Sequence, residues 1–219
     1  MTHILFDMDG VLVQSEHLMR KSAKLALLEY GVTANDEDFT DFVGMGEDLF
    51  VGGVAEKHGV PYKSEMKRRA YDIYINLVKY EIVRYDGVYP LLEFIRENRI
   101  SSAVASSADR IKVDANLNAA DIPPNMFKAI ITGNDVTRKK PHPDIYLHTA
   151  EKLNADPENC LVVEDAISGL QAAKTANMKC AMVTTSFDRK TLEQYNPDYI
   201  LNDISELISI IKADYKKSA

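Results

Sequence analysis

Six short runs of small and β-branched apolar residues punctuate this chain, and most are separated by enough sequence for one helix. They are Ile4-Leu5-Phe6, Ala103-Val104-Ala105, Ala129-Ile130-Ile131, Leu161-Val162-Val163, Ala181-Met182-Val183 and Tyr199-Ile200-Leu201. Runs this short, with no polar alternation, suit strands buried on both faces of a parallel sheet. Between them, Leu91, Leu92, Phe94 and Ile95 have helical spacing, Pro143 suits the first turn of a helix reaching about Leu153, and residues 166 to 177 and 204 to 211 read as two more helices. Such alternation predicts an α/β fold, a three-layer parallel-sheet Rossmann-like core with right-handed crossovers. With 219 residues, of which 46% are hydrophobic and 27% charged, the chain has the makeup of a globular protein with room for one inserted unit.

One stretch breaks the alternation. Residues 15 to 85 carry helical pattern and no strand signal. Ser15 is placed to cap a helix ending at Gly31, and further helices are expected over residues 47 to 58 and 63 to 83. This predicts an inserted all-helical unit of about four helices over 15–85, with residues 1–14 and 86–219 forming the core. The linkers fall near Val13 and Gln14 on one side and Arg84, Asp86 and Gly87 on the other.

Charge and cysteine content narrow the functions. There are 26 Lys+Arg against 33 Asp+Glu, a net charge of -7, which argues against a nucleic-acid surface. Cys160 and Cys180 each lie in an apolar run and read as free buried thiols. The strand-like segment begins at Thr2, and no leader or long apolar span is evident. The expectation is a cytoplasmic protein with no membrane contact, a monomer or weak homo-oligomer.

Four segments at strand ends carry chemistry. Asp7 and Asp9 close the first strand, and Gly10 allows a sharp turn; open α/β sheets bind ligands beyond that edge. Alone, this is also what a polar turn looks like. Ser106 and Ser107 close another strand, where hydroxyls and helix N–H groups suit a phosphate, or a plain helix cap. Arg138, Lys139 and Lys140 precede Pro141 and Pro143; one lysine here suits charge neutralisation, and a solvated basic loop fits as well. Glu164 and Asp165 end a buried strand, where carboxylates are costly without a cation; an acidic helix start is the plainer alternative. The four occurring together, always at strand ends, is not explained by four separate turns.

The order Asp7-Met8-Asp9, Ser106, Lys140-Pro141, Glu164-Asp165 resembles the four motifs of the haloacid dehalogenase-like superfamily of phosphohydrolases. The likeness spans nearly the whole chain and is strongest to the branch of β-phosphoglucomutases and sugar-phosphate phosphatases, with the helical block where that branch carries a cap. It implies a small phosphorylated metabolite as substrate and Mg2+ as cofactor. It implies that Asp7 is the nucleophile, forming an aspartyl phosphate, and that Asp9 is the acid and base. Ser106, Ser107 and Lys140 would bind the phosphate. Asp7, the Asp9 carbonyl, Asp165 and Glu164, the last through water, would hold the metal. Gly46 and Glu47 would be the cap's contacts with substrate. A second aspartate serves an alcohol leaving group, which needs a proton, whereas a departing halide does not.

The chain departs from that branch at three places. Gln14 stands where relatives carry aspartate. Met19 stands where mutases carry a cap histidine, with His17 two residues early. Glu47, followed by Asp48, stands where mutases carry an arginine for the second phosphate, so the loop is expected to repel one, though Glu47 reads equally as an acid at a helix N-terminus; Lys79, Arg68 or Arg69 are the candidate replacements. A phosphatase is therefore expected, with a phosphomutase and a non-catalytic binding domain as the competing readings.

Overall fold

The computed structural model describes residues 3–218. Its strands are β1 (His3–Phe6), β2 (Val13–Gln14), β3 (Val83–Arg84), β4 (Ser101–Ala105), β5 (Ala129–Ile131), β6 (Cys160–Glu164), β7 (Lys179–Val183) and β8 (Tyr199–Leu201). Its helices are α1 (Glu16–Leu28), α2 (Glu47–Lys57), α3 (Ser64–Glu81), α4 (Val88–Glu97), α5 (Arg110–Ala119), α6 (Asp144–Leu153), α7 (Ile167–Thr175), α8 (Arg189–Glu193) and α9 (Leu207–Ser218). A 3-10 helix spans Asp36–Phe42. All six apolar runs are strands, and Thr2 lies outside the described residues.

The six form one parallel sheet in the order β5-β4-β1-β6-β7-β8. Period-two side-chain alternation divides their apolar residues between two layers. Ile4, Phe6, Val104, Leu161 and Val163 face a cluster with α4, α5 and α9. Leu5, Ala103, Ala105 and Val162 face the other, with α6 and α7. Cys160 and Cys180, on β6 and β7, are free and buried.

Helices α1, α2 and α3 enclose an apolar cluster of their own, with Leu18, Met19, Phe39, Phe50, Val54, Met66 and Tyr74, and rest on Ala115 and Ala119 of α5. The helical reading of 15–85 holds except at its end. The third helix stops at Glu81, and Val83–Arg84 pairs antiparallel with Val13–Gln14 instead. Ile82 takes extended backbone there, which suits its β-branched side chain and that of Val83. The two connections between block and sheet therefore lie side by side. No helix among the described residues is long and apolar enough to cross a membrane.

Candidate active site

The site grows out of the sheet's topology. Central β1 is hydrogen-bonded to β4 on one side and β6 on the other. The residues just past these strand ends therefore meet at one edge. Asp7 continues β1, donating its N–H to Val163 O at 3.0 Å. Ser106 and Ser107 follow β4, while Glu164 ends β6 and Asp165 follows it.

Lys140 reaches this edge from the loop before α6. Its Nζ donates to Asp7 Oδ1 at 2.5 Å, Glu164 Oε1 at 2.6 Å and Ala105 O at 3.3 Å. Its neighbour Lys139 goes elsewhere, to Asp109 at 3.5 Å and Asp48 at 3.6 Å. Glu164 is saturated: Tyr146 OH also donates to Oε1 at 2.7 Å, and the Asp165 and Ala166 N–H groups both donate to Oε2 at 2.9 Å. Asp165 accepts from Ser186 OH and lies over Gly10. A Cβ on Gly10 would fall 1.9 Å from Asp165 Oδ2, and the residue's φ is +74°, so glycine serves both the turn and the close approach.

Asp7, Glu164 and Asp165 are buried and offer carboxylate oxygens within 4.8 Å of one another. Among the described residues only Lys140 ion-pairs with this cluster. Three carboxylates against one ammonium leave two negative charges in a desolvated place. Burial therefore pushes the Asp7 carboxyl up to about 7, Lys140 opposing it and Glu164 and Asp9 reinforcing it. Burial, Glu164 and Asp7 push Asp165 well above the usual carboxylate range. Burial alone would lower Lys140, yet Asp7 and Glu164 raise it. An all-oxygen donor set with two uncompensated charges fits a hard dication such as Mg2+.

The Asp9 carboxylate is not part of this cluster. Lys112 Nζ donates to its Oδ2 at 2.7 Å; Asn116 Nδ2, at 3.2 Å, and Ser15 OH donate to Oδ1. Ser15 does precede α1 as expected, but its hydroxyl serves Asp9 and makes no cap bond. The serines after β4 do not cap α5 either, since Asp109 holds that position. Ser106 Oγ accepts the Ala108 N–H at 3.2 Å, while Ser107 Oγ is buried without a partner among the described residues.

Asp7, Asp9, Ser106, Ser107, Lys112 and Asp165 line one pocket of about 50 Å³. That is room for a few waters. The helical block supplies its other wall through Glu16, Met19, Phe42, Val43, Gly44, Gly46, Glu47 and Phe50. Gly46 has φ +85°, and a Cβ there would approach Lys139 Nζ to 2.9 Å and Ser107 O to 3.1 Å, so the loop lies directly on the sheet edge.

The expected repulsion from Glu47 and Asp48 is corrected by their partners. Glu47 is buried, accepts from Lys112 at 2.9 Å and from Tyr71 OH at 2.9 Å, and does not stand as a bare charge. Asp48 accepts from Tyr62 OH at 2.6 Å and Lys67 at 2.7 Å. None of Arg68, Arg69 or Lys79 lines the pocket; among the described lining residues Lys112 is the one cation. Met19 does line it, while Gln14 and His17 border an outer cleft with Arg20 and Tyr85. Lys112 and Asn116 escaped the sequence reading. Their signal is two polar residues on buried positions of α5 beside Val113 and Leu117, a local inconsistency typical of functional positions.

Residues 4–183 match the family model described as haloacid dehalogenase-like hydrolase. Over 208 residues the chain is 41% identical to the Arabidopsis thaliana protein SUPPRESSOR OF QUENCHING 1, chloroplastic; the match covers 93% of this chain and 20% of that protein, so the chain spans about a fifth of its length. It is 30% identical to a phosphorylated carbohydrates phosphatase of Thermotoga maritima, covering 95% of this chain and 100% of the other. The crystal structure of CbbY from Rhodobacter sphaeroides in complex with phosphate superimposes with a TM-score of 0.84 at 27% identity, covering 94% of this chain and 96% of that one. The chain belongs to the haloacid dehalogenase-like hydrolase family.

Proposed function

We propose that this protein hydrolyses a small phosphate monoester, of the sugar- or polyol-phosphate kind, through an aspartyl phosphate on Asp7. Residues 15–85 act as a cap over a catalytic core of 1–14 and 86–219. The observation that carries the reading is the pairing of Asp7 with Lys140 beside a small pocket that Asp7 and Asp9 both line.

In the first step an Asp7 carboxylate oxygen attacks phosphorus and the ester P–O bond breaks. Asp9 serves as the acid, passing a proton to the departing alcohol oxygen. In the second step Asp9 takes a proton from water, whose oxygen attacks the same phosphorus; the acyl–phosphate bond breaks, phosphate leaves and Asp7 is a carboxylate again. Dividing the displacement in two lowers each barrier, and a positioned acid is worth about 10²–10⁴ in rate. Lys140 neutralises the nucleophile and the incoming phosphate. Ser106 and the unpartnered Ser107 hydroxyl hold phosphoryl oxygens. Asp7, Asp165 and the Asp9 carbonyl, with Glu164 behind them, would hold magnesium, which would supply the positive charge that lets a carboxylate approach a phosphate. The cap excludes water while the first step proceeds.

Hydrolysis is favoured over mutation because Lys112, the one cation among the described lining residues, already serves Asp9 and Glu47 and is not free for a second phosphate. Met19 also gives the cap no proton-exchanging group at the mutase histidine position. The test is phosphate release from a panel of phosphate esters with and without Mg2+, beside β-glucose 1-phosphate with a trace of glucose 1,6-bisphosphate. Magnesium-dependent release from at least one ester supports the reading. Glucose 6-phosphate forming much faster than free phosphate would make the protein a mutase.

A further inference from the structure

One face of α5 touches both the cap and Asp9. Asp109, Lys112 and Asn116 fall at i, i+3 and i+7, so they share that face. Each meets a residue of the helical block: Asp109 pairs with Lys67 at 2.9 Å, Lys112 with Glu47 at 2.9 Å, and Asn116 Oδ1 accepts from Tyr74 OH at 2.5 Å. Two of the three, Lys112 and Asn116, also donate to Asp9.

Lys112 is the strongest of these links. Its residue is 3% exposed, and burying an ammonium is costly unless carboxylates surround it. It has two, one from each side of the pocket: Asp9 from the sheet edge and Glu47 from the first turn of α2. Glu47 is in the same position, because its charge is buried and Lys112 is its cation. Glu47 directly follows Gly46, whose backbone lies against Ser107 and Lys139, so the contact depends on the seating of that loop. With the loop lifted, Lys112 regains water and side-chain freedom, and one of the three donors that fix Asp9 is no longer fixed itself.

We propose that Lys112 is a positioning residue, holding the Asp9 carboxylate in its working orientation only when the cap is down, with Glu47 as the cap's half of the contact. This rests on the reading of Asp9 as the acid and base. Lys112 itself exchanges no proton and touches no phosphoryl group. It ties the competence of Asp9 to closure of the site, so that Asp9 is ordered only when bulk water is excluded.

The test compares Lys112→Met, Glu47→Gln, the double variant and Lys67→Met on the full chain, with Asp9→Asn as control. Glu47→Gln keeps the side-chain shape and the Tyr71 bond, so it reports on the link even if Lys112→Met folds poorly. With an alkyl phosphate, Lys112→Met is expected to lower kcat about 100-fold with little change in KM, and Glu47→Gln about tenfold. The double variant falls no further than Lys112→Met, since both residues act through one contact. Lys67→Met removes a cap–core ion pair that does not reach Asp9, and should move KM and leave kcat alone. With p-nitrophenyl phosphate, whose leaving group departs without a proton, Lys112→Met should give a burst of nitrophenolate stoichiometric with enzyme, followed by slow turnover. A misfolded variant gives no stoichiometric burst. A Lys112→Met kcat within threefold of wild type, or multiplying effects in the double variant, overturns the inference. An Asp9→Asn variant with full activity would instead overturn the role of Asp9 itself.

Discussion

Replacing Gly169 by alanine should destabilise the protein, although alanine is the better helix former. Gly169 lies in the first turn of α7, and an ideal Cβ there would sit 1.8 Å from Glu164 Oε1 and 2.0 Å from its Cδ. The helix gains at most about 1 kcal/mol from Gly→Ala. To accept the methyl, the Glu164 carboxylate must leave a place where it accepts from Lys140 at 2.6 Å, Tyr146 at 2.7 Å and two backbone N–H groups at 2.9 Å. Hydrogen bonds to a charged group are worth about 1.5–3 kcal/mol each, so losing two costs about 3–6 kcal/mol. The net loss is about 2–5 kcal/mol. Urea unfolding followed by far-UV circular dichroism measures it. The same substitution in a Glu164→Ala background isolates the cause, because without the carboxylate it should stabilise by up to about 1 kcal/mol. A Gly169→Ala protein as stable as wild type, or a loss of equal size in both backgrounds, would refute the reasoning.

Asp165→Ala should cut magnesium-dependent phosphate release by more than about 100-fold while raising the melting temperature of the metal-free protein, since it removes one of three clustered carboxylates; unchanged magnesium dependence in a titration would remove Asp165 from the ligand set. Asp7→Asn should abolish turnover yet leave a folded protein that binds inorganic phosphate, measured by calorimetry, because a neutral side chain suits a site that already disfavours the charge. The folded carboxyls of Asp7, at about 7, and Asp165, higher than usual, lie above the ordinary value of 3.8. The native state therefore holds protons the unfolded chain has released, and the stability these groups contribute is present below pH 3.8 and lost as pH rises through about 7. Magnesium should reverse the loss, so the melting-temperature gain from Mg2+ over EDTA grows between about pH 5 and 8, and a constant gain would count against the charge deficit.

The sheet was legible because each strand is a closed apolar run between turn residues, and burial on both faces demands that pattern. The ribbon of Val13–Gln14 and Val83–Arg84 was not, since two residues carry no periodicity, and Val83 reads equally well as the end of a helix. At the site, Asp7, Ser106, Glu164 and Asp165 were legible because adjacent parallel strands deliver their ends to one edge. The choice between Lys139 and Lys140 was not contained in the residues alone; it came from the family resemblance, and the geometry turns only Lys140 to Asp7. The neutralisation of Glu47 is hidden from the sequence for a related reason. Its neutralising partner, Lys112, lies on a different element 65 residues away, and the bond from Lys112 to Asp9 spans 103 residues. Local sequence carries no trace of such a pairing beyond a polar residue where an apolar one belongs.

The pairing of Val13 with Arg84 and of Gln14 with Val83 has a consequence for how such a chain changes over generations. Residues 15 to 82 leave and rejoin the rest at positions one strand spacing apart, about 5 Å. A segment whose ends already touch places little demand on its own length, because the entropy of closing a loop grows only with the logarithm of its size. The opening between β2 and β3 is thus a socket: a longer, shorter or unrelated insert fits it without moving a strand of the sheet. The sheet and the inserted helices are thus written in separate stretches of sequence, and they meet again only at contacts such as those of Ser15 with Asp9 and of Glu47 with Lys112.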